Sequence, residues 1–236
     1  MDTQTRHALK QDSFVDATAS SLDWVSEHRG LVIKTAVTVV IVAAVIVTAV
    51  LIYTSRESKA EGLFGQAMNI YETPLSQPGQ PADPGQPSYA TAVQRAKAAY
   101  PLFSQVANDY GWLRVGANAR YFTGLTELDL GQSSAAESDL KKASGSMDSN
   151  LAALAKAALA NVYHQTGRDS QAIDLLQGLI KNPTVTVPAG AAKLQLAALY
   201  EISRPQEAKR LYAELKDQDK ETAAGMIATQ KLQTLK

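Results

Sequence analysis

Cysteine is absent from this 236-residue chain, which removes disulfides, thiolate metal sites, a cysteine nucleophile and a lipidated cysteine. The absence does not fix a compartment, because a cysteine-free domain folds on either side of a membrane. Histidine is scarce as well. His7, His28 and His164 are scattered and form no His-x3-His pair. No Gly-rich phosphate loop follows a strand pattern, and there is no Gly-x-Ser-x-Gly elbow. Nor does one sign of charge prevail: Lys plus Arg and Asp plus Glu both total 23, so nothing resembles an electrostatic footprint for nucleic acid. Glu127 and Asp129 lie close in sequence, but residues two apart on a helix diverge. Ser133-Ser134 reads as a helix start, and Glu207, Glu214 and Asp217 read as solvated faces. The expectation is a chain that is not an enzyme, with no catalytic residue, cofactor, metal or small-molecule substrate.

What is present is Leu31 to Tyr53, LVIKTAVTVVIVAAVIVTAVLIY. At 1.5 Å per residue it is long enough to cross a hydrocarbon core about 30 Å thick. Fourteen of residues 31–52 are Val, Ile or Leu. At about −0.3 to −0.6 kcal/mol each they outweigh Lys34, which lies at the edge where its stem can snorkel. In lipid the backbone has no other partner, so even this β-branched run is forced into helix. The run starts some thirty residues in and lacks a small-x-small site at its end, so it reads as a retained signal anchor and the lipid bilayer as a partner. Ahead of it, residues 1–30 form an amphipathic tail: Leu9, Phe14, Val15, Thr18, Leu22 and Val25 make a stripe that ends near Gly30, with Trp24 suited to the interface. Arg6, Lys10, Arg29 and Lys34 precede or open the span, and Arg56 and Lys59 follow it, which tilts the N-terminus towards the cytoplasm.

Residues 54–236 follow. Ser55 to Tyr71 keeps a helical pattern, so the membrane helix is expected to run on until Pro74. Residues 74–88 then hold five prolines and PGQP twice, the composition of a mobile loop. From Tyr89 the chain is Ala-rich and repetitive. Three positions recur four and three residues apart: Ala99, Phe103, Val106; Ala136, Leu140, Ala143; Ala172, Leu176, Leu179; Ala208, Tyr212, Leu215. The steps between sets are 37, 36 and 36 residues. Gly131 and Gly167 sit five residues before two of these sets. Gly124, Ala160 and Ala197 lie further upstream, with Tyr163 and Tyr200 three positions after the last two. A small residue lets two helices approach closely, the Gly ends the first in a left-handed turn, and the triplet is the buried stripe of the second.

The pattern resembles tetratricopeptide repeats. The fold it implies is all-α: one N-terminal transmembrane helix (31–53), then an α-solenoid of about four degenerate helix pairs over 54–236, with the proline loop inserted in the first pair. Residues 220–236 read as a capping helix. Departures are Glu127 in place of the Tyr, Arg204-Pro205 in place of a Gly, and Pro101, expected to kink or delay its helix. A solenoid presents a concave surface lined by the first helix of each pair. Helical phase points Asn118, Tyr121, Leu125, Asn161, His164, Gln165, Leu194 and Glu201 towards it as candidate partner contacts, led by Tyr121, Asn161 and His164.

The order of features (a polar tail with a Leu9-to-Phe14 stretch, one anchor, then about four degenerate repeats) resembles the YfgM-type family of bacterial inner-membrane tetratricopeptide proteins. That resemblance implies a cytoplasmic N-terminus, repeats in the periplasm, and association with the SecYEG translocon and a membrane-anchored periplasmic chaperone. Its implied role is to hand exported chains to periplasmic folding factors. A different interaction role is the alternative: a membrane-tethered scaffold or regulator in envelope assembly, cell division or stress signalling.

Overall fold

The Ala-rich composition and the three-four spacing of apolar residues both favour helix, and helix is what forms. A computed structural model describes residues 27–76 and 87–235, and every regular element among them is an α-helix. The chain divides into two units, Met1–Ser55 and Arg56–Lys236.

In the first unit a turn at His28 leads into helix α1 (Arg29–Tyr71), so Gly30 lies inside a helix. The amphipathic stripe of the tail falls on residues 1–26, outside the described residues. Apart from Val32, every Val, Ile and Leu between Leu31 and Ile52 is more than half exposed. Thr35, Thr38 and Thr48 each donate their hydroxyl to the carbonyl four residues earlier, at 2.8–2.9 Å. Those hydroxyls therefore need no solvent. By length and composition α1 can cross a membrane.

The second unit begins with the remainder of α1, which runs on to Tyr71 as the pattern anticipates. Leu75 and Tyr89 then form an isolated bridge, with the Ser76 N–H donating to the Tyr89 carbonyl at 2.9 Å. This ties together the two ends of the Pro-rich segment, whose residues 77–86 are outside the described set. Eight helices follow: α2 (Ala92–Asp109), α3 (Arg114–Asp129), α4 (Ser133–Ser144), α5 (Ser149–Gln165), α6 (Asp169–Lys181), α7 (Ala189–Ser203), α8 (Pro205–Gln218) and α9 (Ala223–Thr234).

The four sequence triplets fall on α2, α4, α6 and α8, and all twelve residues are at most 4% exposed. From α2 onward each helix packs on the next. Contacts also join α3 to α5 and α7 to α9. One large apolar cluster runs from Ala136 to Ala228; two smaller ones pack the end of α1 against α2 and α3 through Ala60, Phe64, Ala67, Phe103 and Ala119.

The turns follow the expected chemistry at two places and depart from it at a third. Gly131 and Gly167 have φ of 75° and 74°. After each, the next N–H reaches back five residues, Gln132 to the Glu127 carbonyl and Arg168 to the Tyr163 carbonyl. Both are Schellman ends, which need the left-handed residue that glycine supplies without strain. Between α7 and α8 no such residue is used. Arg204 alone links them, at φ −142° and ψ 61°, and Pro205 takes the first helical position, where its missing N–H costs nothing. Pro101 does not delay its helix: α2 starts at Ala92 and runs through it to Asp109, with Ala96 and Ala99 before it and Phe103 and Val106 after it all buried.

Candidate partner-binding surface

Helices α3, α5 and α7 carry all eight candidate residues. Gly124 explains how α3 comes so close to α4: a Cβ there would lie 2.7 Å from Cγ of Leu140. The two helices meet backbone to side chain, which fixes the direction in which the other side of α3 faces.

On α3, Asn118 and Leu125 are half-buried. Tyr121 packs against the large cluster and edge-on to Phe122, with ring centroids 5.2 Å apart. Burial, and then the nearness of Tyr71, raises the Tyr121 hydroxyl above its ordinary range. On α5, Asn161, His164 and Gln165 are exposed. Asn161 and His164 share a small cavity of about 110 Å³ with Leu176, Gln195 and Leu199, so the structure brings those two together. Nδ1 of His164 lies 2.7 Å from Asp169 Oδ1, a link from the end of α5 to the start of α6. The amide of Gln195 donates to the Ala157 carbonyl at 3.0 Å and joins α7 to α5.

Leu194 packs on the core. Glu201 accepts hydrogen bonds from the Tyr212 hydroxyl at 2.5 Å and from Nζ of Lys231 at 2.9 Å. Burial raises its carboxyl, but those two donors outweigh the burial and leave it below its usual range. Its hydrogen-bonding capacity thus goes to joining α7, α8 and α9.

One of the acidic residues read as solvated faces sits differently. Glu214 pairs with Lys193 and ties α8 to α7, whereas Glu207 and Asp217 are exposed. Glu127, 3% exposed, fills the position that Tyr163 and Tyr200 occupy 36 and 73 residues later. Its Oε2 is buried without a hydrogen-bond partner among the described residues. Burial, reinforced by Asp139, pushes the carboxyl up to about 7, opposed by a hydrogen bond from Tyr100 and by Lys142. At the two Tyr positions the ring instead lies under a cation: Arg168 at 4.5 Å from Tyr163 and Arg204 at 5.0 Å from Tyr200.

Larger recesses lie elsewhere, along the turns after α2, α4 and α6. Periodicity of helices says nothing about the shape of turns, so sequence reasoning missed them. The signal available was one aromatic or apolar residue in each turn: Trp112, Met147 and Val185. No protein family, no curated protein and no solved structure matches the chain.

Proposed function

We propose that this protein is a single-pass membrane protein whose distal helices form a tetratricopeptide-like solenoid for binding other polypeptides. One observation carries the reading. An unburied apolar helix able to span a bilayer is followed by four sets of buried residues at a near-constant interval, and the sets fall on every second helix, α2, α4, α6 and α8. The contacts between α3 and α5 and between α7 and α9 are those that stacked first helices make, and they support the same reading. The basic residues before the span favour a cytoplasmic N-terminus, with the helical unit on the opposite side.

In its sharpest form the proposal places the protein in a bacterial inner membrane as an ancillary factor of the YfgM type. There it associates with the SecYEG translocon and a membrane-anchored chaperone, and passes exported chains to periplasmic folding factors. Support for this form is the order of tail, anchor and repeats. Mild-detergent co-purification tests it: translocon subunits dominate the eluate if it is right, and cell-division or envelope-assembly proteins dominate if the scaffold alternative is right. Photo-crosslinkers at Tyr121 and His164 test the surface. Capture of a translocon subunit, chaperone or exported chain supports the first-helix face; capture only from the second helices removes it.

A further inference from the structure

Three of the most exposed large apolar side chains outside the span lie in alternate turns: Trp112 (63%) after α2, Met147 (103%) after α4 and Val185 (90%) after α6. Clefts open beside them. The first, about 710 Å³, is lined by Trp112, Arg114, Asn118, Lys142 and Met147. The second, about 680 Å³, has Met147, Ser149, Lys156, Leu175 and Pro183 in its walls. The third, about 650 Å³, is lined by Ser149, Pro183, Val185 and Pro188. The first two share Gly145, Ser146 and Met147, and the last two share Ser149, Pro183 and Thr184. The three therefore form one furrow across three turns.

We propose that this furrow holds an extended polypeptide segment that carries both apolar and carboxylate side chains. The inference rests on the interaction-module reading above and names a surface and a partner chemistry for it. Charge complementarity points to carboxylates. The furrow is lined by Arg114, Arg120, Lys142 and Lys156 against Asp148 and Asp174, although the chain as a whole is neutral. Arg120 is committed to Asp139 and to the Ala107 carbonyl. Arg114, 83% exposed, pairs with Asp148 at 3.6 Å, and Lys142, 59% exposed, pairs with Asp139 at 3.3 Å; such exposed pairs hold weakly, so both cations can be shared with a ligand carboxylate.

The lining also points to an extended backbone. Asn118, Ser149 and Asn182 interleave with the apolar residues, and such groups can satisfy the free N–H and C=O groups of a strand-like segment. Against acyl chains the same groups would be left unpaired at a cost. Apolar side chains of the segment would enter beside Leu113, Leu151 and Leu179, at the cleft floors.

The test uses the full chain in detergent micelles with Trp24→Phe, which leaves Trp112 as the sole tryptophan. The probe is a labelled peptide alternating Leu and Asp, with a Leu-Lys twin as control. The Leu-Asp peptide is expected to saturate and to shift Trp112 emission to the blue. Met147→Ser is expected to weaken it about 5-fold or more, the loss of an interface anchor. Arg114→Glu with Lys142→Glu is expected to reverse the preference for the Asp peptide by about 10-fold or more. These side chains are exposed, so the fold is kept. Equal affinity for both peptides, or an unmoved Trp112 emission, overturns the proposal. A Trp112 response to phosphatidylglycerol vesicles alone would assign the edge to lipid. Self-association abolished by Met147→Ser without any peptide effect would assign it to a second copy. If Tyr121 and His164 crosslink an exported chain while Trp112 stays silent, the module reading stands and the furrow assignment alone falls.

Discussion

Two glutamates place opposite demands on pH. Glu127 takes the place of a tyrosine and has its carboxyl pushed up to about 7 by burial. In the unfolded chain the same group titrates near 4.5. As pH rises from 4.5 through 7 the unfolded state ionises freely while the folded one resists, so stability falls over that window. Glu127→Gln keeps the shape and removes the charge. Above pH 8 the variant is expected to be more stable than the parent by roughly 1–3 kcal/mol, and close to equal at pH 4. Denaturant melts at both pH values check this, and a constant gap would mean that the buried oxygen finds a partner. Glu137 behaves the other way. The Arg168 guanidinium, at 3.0 and 2.5 Å, and then Lys141 hold its carboxyl down at about 2. Its contribution is full above pH 4.5 and lost as pH falls towards 2. Glu137→Gln should thus lower the melting temperature by about 2–4 °C at pH 7, with the difference closing towards pH 2. Neither role was legible beforehand. Sequence shows that Glu127 breaks a pattern, but only packing shows that burial and Asp139 outweigh what Tyr100 and Lys142 offer its charge.

Helices, by contrast, were legible in detail. The four-three triplets identified buried stripes of α2, α4, α6 and α8, because apolar residues at that spacing share one face of a helix and that face is covered. Glycine was informative where a left-handed residue or a close approach required it, at Gly131, Gly167 and Gly124. At position 101 the delay expected of proline does not occur. The rule that proline breaks a helix counts one lost hydrogen bond and one clash, whereas α2 has four buried positions within five residues of the break. That burial outweighs a cost of about 3 kcal/mol. The penalty nevertheless persists in the folded state. Since the Pro101 ring is exposed, Pro101→Ala should relieve it without opening a cavity. Part of the gain returns through the looser unfolded chain, about 0.5–1 kcal/mol. A net rise of about 2–6 °C in melting temperature is expected from calorimetry. An unchanged or lower value would mean that the proline shapes the packing of α1 on α2.

At the scale of the molecule, the question is whether α2–α9 unfold as a stack or as one body. Contacts run from each helix to the next, so a stack should have stability that is local, with nearest-neighbour coupling. The largest apolar cluster spans Ala136 to Ala228, whereas α1 and α2 belong to separate, smaller clusters. Damage at the C-terminal end should therefore fade with distance along the chain. Leu215 on α8 is fully buried, and Leu215→Ala removes about 2–5 kcal/mol of packing. In a stack, amide hydrogen exchange in the variant should quicken most in α7, α8 and α9. Intermediate change is expected in α5 and α6, and protection close to the parent's in α2 and α3. A single cooperative globule gives the opposite result, with every slowly exchanging amide accelerated by one common factor, because all of them then open through the same global event. Uniform acceleration would remove the solenoid from the account, and with it the physical basis for a long binding face. A graded response would also explain how the chain tolerates an insertion as long as 74–88. In a linear stack, such a segment perturbs the one pair that contains it and leaves the more distant pairs untouched.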